Sequence, residues 1–497
     1  MKKNIPVFLS FTAMGIYTVL YGCMFMAVTF GNIMFDYRLW LQVALLVALG
    51  LCLTVFLIVY NRIYPLIIKH RYKILAGACV ALFGIQMLIN SCMVPTVIYD
   101  HDHTLQSAIA YATGDSALLA EHLDYLHKYP FQAGIVLMQG TLFKFVSLFG
   151  CTDWFGAACV LGDLLLILMV ITTFIYLDEN FSGHRAVFYL VLSAIYIPFY
   201  FQGSVSYTDT YSIWGIPCLL LSVTRAIKAD SNGKRIGYAL LAGVLGGLAM
   251  QIKNTVLIVL VALVIQRIVN HPGKKRFSAL AVVLAALIVT NSAYKAATYS
   301  TLLDENRKDE ALPLTHWVMM GLQGDGSYSY IDEMYITVPT PPRERVAVNM
   351  QHINQRLSEM GPAGYLKLLY MKTCRTFGCG NRDLRGGYCF EGYPQPVNLM
   401  YDIVLLNGRY YGINNNLSQA VYLLVLGLGA AGGALMLKKK DDGVYKFAPF
   451  TALTGFWMFM MVWESNHRQL INQWSLLFIC GAVGLYQIWK TVFKVKE

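Results

Sequence analysis

Charge is scarce in this chain. Asp, Glu, Lys and Arg together make 13% of its 497 residues, against about a quarter in a soluble globular protein, while 57% are hydrophobic. A soluble globular protein is thereby excluded, and a multispanning integral membrane protein remains. The eleven cysteines contain no CxxC pair and no Cys/His array at zinc spacing, and most fall inside apolar runs. Cys374, Cys379 and Cys389 share one polar region, where a disulfide stays open. Internal repeats and low-complexity tracts are absent. The apolar run after the basic N-terminus is longer than a signal peptide's and lacks a small-residue cleavage site, so it is expected to be the first membrane helix. The net charge of +11 would suit nucleic acid, but Lys and Arg sit in short clusters between apolar runs, the pattern that orients helices in a membrane. Nucleic acid is therefore discounted as a partner.

What is present is a series of apolar runs of about 20 residues, the length that crosses a bilayer as a helix. They fall at 5–30, 39–60, 73–93, 153–177, 186–201, 210–226, 236–251, 254–269, 278–298, 417–437, 447–463 and 471–489. The expectation is an all-α integral membrane protein with twelve crossings and both termini cytoplasmic. A further segment, 130–150, is apolar enough to cross but carries Gln132, Gln139 and Lys144. If it crossed, the later basic clusters Arg225/Lys228/Lys234/Arg235, Lys274/Lys275/Arg276, Lys438/Lys439/Lys440 and Lys490/Lys494/Lys496 would all face outward. Laid along the outer interface, it puts them all inside, as the positive-inside tendency requires. The chain then divides into a transmembrane module at 1–298 with an outer loop at 95–130, an extracytoplasmic region of loops and interfacial helices at 299–416, and C-terminal membrane helices at 417–497. In the middle region, RERVAVNMQHINQRLSEM has helical spacing of Val346, Met350, Ile353 and Leu357. Gly361-Pro362 ends that helix, and YLKLLYMKTCRTF begins one expected to lie on the membrane.

The polar peculiarities converge on the outer face. Asp100, His101, Asp102 and His103 follow directly on an apolar span, and ionisable side chains at a bilayer edge mark a site unless they are an ordinary solvated loop start. A carboxylate at the rim of an apolar cavity has its proton affinity raised by desolvation, which suits a general base. In extended chain Asp100 and Asp102 would point the same way. The HDH run also leaves a divalent metal open as cofactor. Asp209 stands where the chain re-enters the membrane, as a site carboxylate or a helix N-cap. Lys253 either snorkels to the headgroups or supplies a point charge to a lipid phosphate, and Arg468 has the same two readings with a fork that fits phosphate better.

The order of these features resembles the GT-C superfamily of multispanning membrane glycosyltransferases, which includes protein O-mannosyltransferases, the aminoarabinose transferases of lipid A and oligosaccharyltransferases. The similar stretches are the Asp-led loop after the third span, EHLDYLHKYPFQAGIVLMQ at 121–139, YTD at 207–209, IKNTVLI, THWVMMGL and WESNHRQ. They look most like the Gram-positive bacterial members. The resemblance implies inverting transfer of a sugar from a polyprenyl-phosphate donor to a hydroxyl of an envelope glycopolymer, lipid or protein, at the extracytoplasmic face of a bacterial cytoplasmic membrane. By position, Asp100 or Asp102 would be the base and Asp209 the second acidic motif. Lys253, Arg468 and Lys372 would neutralise the leaving phosphate, with His101, His103, Tyr207, His316 and Trp317 lining the substrate pocket. YPFQ and Gln469 depart from the family pattern and leave the acceptor open. The competing readings are a lipid-linked sugar transporter or flippase, and an accessory subunit without chemistry.

Overall fold

The bilayer core offers no water to backbone N–H and C=O groups, so an apolar chain that enters it winds into helix. The computed structural model describes residues 4–30, 37–93, 97, 99–270, 274–381 and 398–495, and among these there is no strand. The helices are α1 (Asn4–Phe30), α2 (Leu39–Lys69), α3 (Arg71–Cys92), α4 (Asp100–Thr113), α5 (Ser116–Lys128), α6 (Ala133–Ser147), α7 (Trp154–Asn180), α8 (Gly183–Ala194), α9 (Pro198–Phe201) and α10 (Thr208–Tyr211). They continue as α11 (Gly215–Lys228), α12 (Asn232–Ile252), α13 (Leu257–Asn270), α14 (Lys274–Thr301), α15 (Leu314–Met320), α16 (Arg345–Phe377), α17 (Leu399–Val404), α18 (Tyr411–Lys439), α19 (Ala448–Val462) and α20 (Trp474–Val492).

The all-α membrane class holds, but the number of crossings differs from the expected twelve. Among the described residues, nine helices are long and apolar enough to span, or ten if α8 and the bent piece after it count as one. The other expected spans are the bent pair and two shorter apolar helices, each bounded by a break with a visible cause. Pro198 lacks a backbone donor, and the chain bends by 76° between Gly183–Ala194 and Pro198–Ser204. Lys253 leaves the helix in extended conformation, so Asn254–Asn270 is short, and α19 stops at Val462 before the polar connection to α20.

Close packing in the bundle depends on small residues, as it must where lipid supplies no hydrophobic drive between helices. A Cβ on Gly243 would stand 2.6 Å from the Val283 carbonyl oxygen, so α12 meets α14 backbone to backbone. Gly432 of α18 lies directly against Gly484 of α20 in the same manner. At one end of the bundle Arg71 pairs with Asp178 at 2.8 Å, Arg225 with Glu179 at 2.5 Å and Lys490 with Asp441 at 3.6 Å. Asp209 and Lys253 lie at the opposite ends of the helices that carry Arg225 and Arg235.

That opposite end is covered by a cap of α4–α6, α15, α16 and the turns between them. The 130–150 segment enters as a short turn and the 15-residue α6, packed under α4, and is not among the helices long enough to span. Ion pairs fix the cap: Arg356 grips Asp332 through two hydrogen bonds of 2.7 Å, and Lys128 donates to Glu333 at 2.5 Å. In α16 the chain breaks at Gly361, whose φ of +61° only glycine adopts freely. The half after the break, expected to lie on the membrane, packs against the bundle. Its Phe377 is buried against Tyr21 of α1 and Phe456 of α19, and Thr373 accepts from the Trp457 indole at 3.1 Å. Of the cysteines set aside for a disulfide, Cys374 and Cys379 are buried, and Cys389 falls outside the described residues.

Lys372, on this half of α16, is wholly enclosed and donates to the carbonyls of Gly321 at 2.8 Å and Trp463 at 2.7 Å. It straps the cap to the α19–α20 connection. Hydrogen bonds from a charged group contribute about 1.5–3 kcal/mol each, so Lys372→Met is expected to lower the melting temperature in detergent clearly, while Lys367→Met, at an exposed position of the same helix, leaves it unchanged. Equal melting of the two variants would contradict the strap.

Candidate active site

Three helix breaks deliver the charged side chains. The turn before α11 supplies Asp209, the break between α12 and α13 supplies Lys253, and the α19–α20 connection supplies Arg468. Asp209 is not a cap: the N-cap position of its helix belongs to Tyr207, and the Asp209 carboxylate, 4% exposed, forms an ion pair with the Lys253 ammonium. Lys253 therefore turns inward instead of snorkelling.

Arg468 joins the second carboxylate to this pair. Its Nε lies 3.9 Å from Asp209 Oδ2 and its Nη2 3.5 Å from Asp100 Oδ2, and 44% of the side chain stays open. Both distances lie at or beyond the limit of a hydrogen bond, so the fork keeps donors for a ligand. Its guanidinium also stands 5.2 Å from the centre of the Tyr207 ring. The Tyr207 hydroxyl donates to Asp100 Oδ2 at 3.3 Å and accepts from the Gln132 amide at 2.5 Å.

Asp100 opens α4, and Tyr99 before it is held at φ +52°, a left-handed conformation that costs a tyrosine about 1–3 kcal/mol. Because the chain here is helix rather than extended strand, residues two apart face opposite ways. Asp100 faces Tyr207 and Arg468, whereas Asp102 accepts from Gln106 of its own helix at 3.3 Å. The HDH run does not converge either. His101 bonds Ser206 at 2.8 Å and His103 bonds His122 at 2.9 Å, stacking on Tyr125 at 4.3 Å. Among the described residues no group of three His, Cys, Asp or Glu side chains is arranged to hold a metal ion. Burial pushes His101 down to about 4, so it stays neutral behind Tyr207.

The cap residues divide. Trp317 lies over Tyr129 and Phe131 at 6.1 and 5.8 Å and stacks on Trp463 at 6.1 Å. His316 is fully buried beneath it and bonds Thr337 at 2.8 Å, so it supports the aromatic face from behind. Lys372, enclosed as described, presents no open face to a phosphate.

Sequence reasoning passed over Glu464. It is 8% exposed and, among the described residues, makes no hydrogen bond or ion pair. Burial raises its carboxyl to about 7. The one available signal was an acidic residue lodged between two apolar runs. A separate cavity of about 530 Å³ opens between α3, α4 and the start of α7, lined by Asn90, Leu105, Gln106, Asp153 and Trp154 among others, and includes none of the charged cluster.

A family profile described as "Conserved hypothetical integral membrane protein" matches residues 7–487. The chain belongs to that family. No curated protein matches the sequence. Among solved structures the chain is similar to the archaeal oligosaccharyltransferase AglB from Archaeoglobus fulgidus, in complex with an inhibitory peptide and a dolichol-phosphate. The identity is 11% and the TM-score 0.44, over 86% of this chain and 53% of that one, so this chain spans about half its length. It is also similar to ArnT from Cupriavidus metallidurans bound to undecaprenyl phosphate, at 14% identity and a TM-score of 0.37 over 85% of this chain and 79% of that one. The apo state of ArnT gives 14% and 0.36 over 83% and 78%.

The raised carboxyl of Glu464 has a measurable consequence. The folded chain holds its proton more tightly than the unfolded chain does, so stability falls as pH rises from about 4.5 through about 7. The melting temperature of the unsubstituted protein is expected to drop relative to Glu464→Gln across that window and to run parallel to it on either side. A difference that does not vary with pH would contradict this environment for Glu464.

Proposed function

We propose that this protein is an inverting glycosyltransferase that moves a sugar from a polyprenyl-phosphate donor to a hydroxyl of a cell-envelope acceptor, at the extracytoplasmic face of a bacterial cytoplasmic membrane. The observation that carries the reading is the division of labour between two carboxylates beside one arginine. Asp209 is closed off by Lys253, while Asp100, with 40% of its side chain open, stands 3.5 Å from the open fork of Arg468. A free base next to a free anion holder suits a displacement in which an oxyanion departs as a hydroxyl attacks. The basic clusters at the far end of the bundle support the side, since such clusters face the cytoplasm.

In the reaction proposed, Asp100 takes the proton of the acceptor hydroxyl and its oxygen forms the new bond to the anomeric carbon. The bond from that carbon to the phosphate oxygen breaks, and its electron pair leaves with the lipid phosphate. One displacement inverts the configuration. Arg468 and Lys253 stabilise the negative charge gathering on the phosphate, the electrostatic part of such catalysis. Asp209 holds both cations in place. The acceptor, whether glycopolymer, lipid or protein, is the component the site constrains least.

The test is transfer of radiolabelled sugar from polyprenyl-phosphate donors by the purified full-length protein in lipid. Asp100→Asn is expected to lower the rate by about 10²–10⁴-fold, the usual contribution of a general base. Asp102→Asn should stay within a few-fold of the unsubstituted protein. Undiminished transfer by Asp100→Asn would overturn the assignment. Movement of the donor across proteoliposomes without sugar release would favour a flippase instead.

A further inference from the structure

Gln132 and Gln139 are out of place in an otherwise apolar segment, and the scheme above gives neither a task. Both side chains are buried, and both spend their amide donors on the two residues that lead into the Asp209 turn. Gln139 donates to the Ser206 carbonyl at 2.9 Å, and Gln132 donates to the Tyr207 hydroxyl at 2.5 Å. From the other side, His101 of α4 bonds the Ser206 hydroxyl at 2.8 Å. Tyr207, itself buried, is thereby clamped between α4 and the segment that carries α6.

The clamp decides where one proton points. A tyrosine hydroxyl carries a single proton, and burial raises this phenol above its ordinary value, so the proton stays. An ionised Asp100 can only accept, so the proton is directed at its Oδ2, 3.3 Å away. Whatever faces the hydroxyl from behind must then be a donor. The Gln132 amide N–H is that donor, and its carbonyl oxygen is left buried and without a partner among the described residues. The Gln139 carbonyl oxygen is left in the same condition. Turned the other way, the Gln132 carbonyl would compete with Asp100 for the tyrosine proton. The ring of Tyr207 also lies 5.2 Å from the Arg468 guanidinium, so one side chain touches both the base and the anion holder.

We propose that Tyr207, anchored by Gln132, is the positioning residue for Asp100, holding its carboxylate at a fixed angle before the acceptor hydroxyl arrives. The inference rests on the glycosyl-transfer reading and assigns two residues that the reading leaves idle. An orientation fixed in advance lowers the barrier of the chemical step without strengthening the grip on the donor.

Steady-state transfer by the full-length protein in lipid separates this from a structural role. The donors are undecaprenyl phosphate carrying radiolabelled glucose, mannose or galactose, and a total bacterial envelope extract serves as acceptor. Tyr207→Phe keeps the ring beside Arg468 and removes only the hydroxyl. It is expected to lower kcat about tenfold or more and to leave the donor KM within about twofold. Gln132→Met keeps the length of the side chain and removes its donor, with a smaller loss in kcat of about threefold or more. Because Gln132 acts through the hydroxyl, adding Gln132→Met to Tyr207→Phe is expected to lower kcat no further. An unchanged kcat in Tyr207→Phe, a loss carried by KM, or a loss that tracks a fall in melting temperature across both variants would overturn the positioning role. Losses that multiply in the double variant would overturn the anchoring by Gln132. Absence of transfer by the unsubstituted protein from all three donors would sink the glycosyl-transfer reading, and this inference with it.

Discussion

The ion pair between Asp209 and Lys253 constrains everything around it. An unpaired charge buried at this depth would cost several kcal/mol, so neither residue is tolerable there without the other. Meeting requires two helices to break at matching heights, α12 ahead of Lys253 and the bent segment ahead of Thr208. The breaks shorten the flanking helices and leave polar backbone at one end of the bundle. The cap covers that end, and the connection carrying Glu464 and Arg468 closes its side.

Around this closed pair the site grades from occupied to open. Asp209 is paired with Lys253, Arg468 lies 3.5 Å from Asp100 and 3.9 Å from Asp209, Asp100 accepts from Tyr207, and Glu464 has no hydrogen-bond partner among the described residues. A purely structural cluster would saturate its members, because unsatisfied buried groups are destabilising. The gradient instead leaves the open fork of Arg468 beside the part-exposed carboxylate of Asp100. Lys372 and the Arg356–Asp332 pair, which look equally functional as isolated charges, are consumed in holding the cap rigid above them.

The fold was legible where apolar length decides the outcome. Each of the twelve expected runs reappears as a helix or a bent pair, and the break at Lys253 falls between two expected runs, but length alone could not show that the chain bends at Pro198 inside the 186–201 run. In the site, Asp209, Lys253 and Arg468 were readable as charges out of place in apolar surroundings. Asp100 was not separable from Asp102 until the local conformation was known, because two-residue spacing means the same face in a strand and opposite faces in a helix. Lys372 misled because a buried lysine that ties loops and one that binds phosphate have the same sequence signature. Glu464 escaped because its peculiarity is a missing partner, and partners are a property of three dimensions.

The central claim is that the open face of Arg468, beside Asp100, is where the phosphate of a lipid-linked donor rests. A cryo-electron microscopy map of the full chain in nanodiscs with undecaprenyl phosphate measures this directly. The account predicts phosphate density within hydrogen-bond distance of the Arg468 guanidinium, with the lipid tail running out into the bilayer. Density for the phosphate in the 530 Å³ cavity between α3, α4 and α7, with Arg468 left bare, would contradict it.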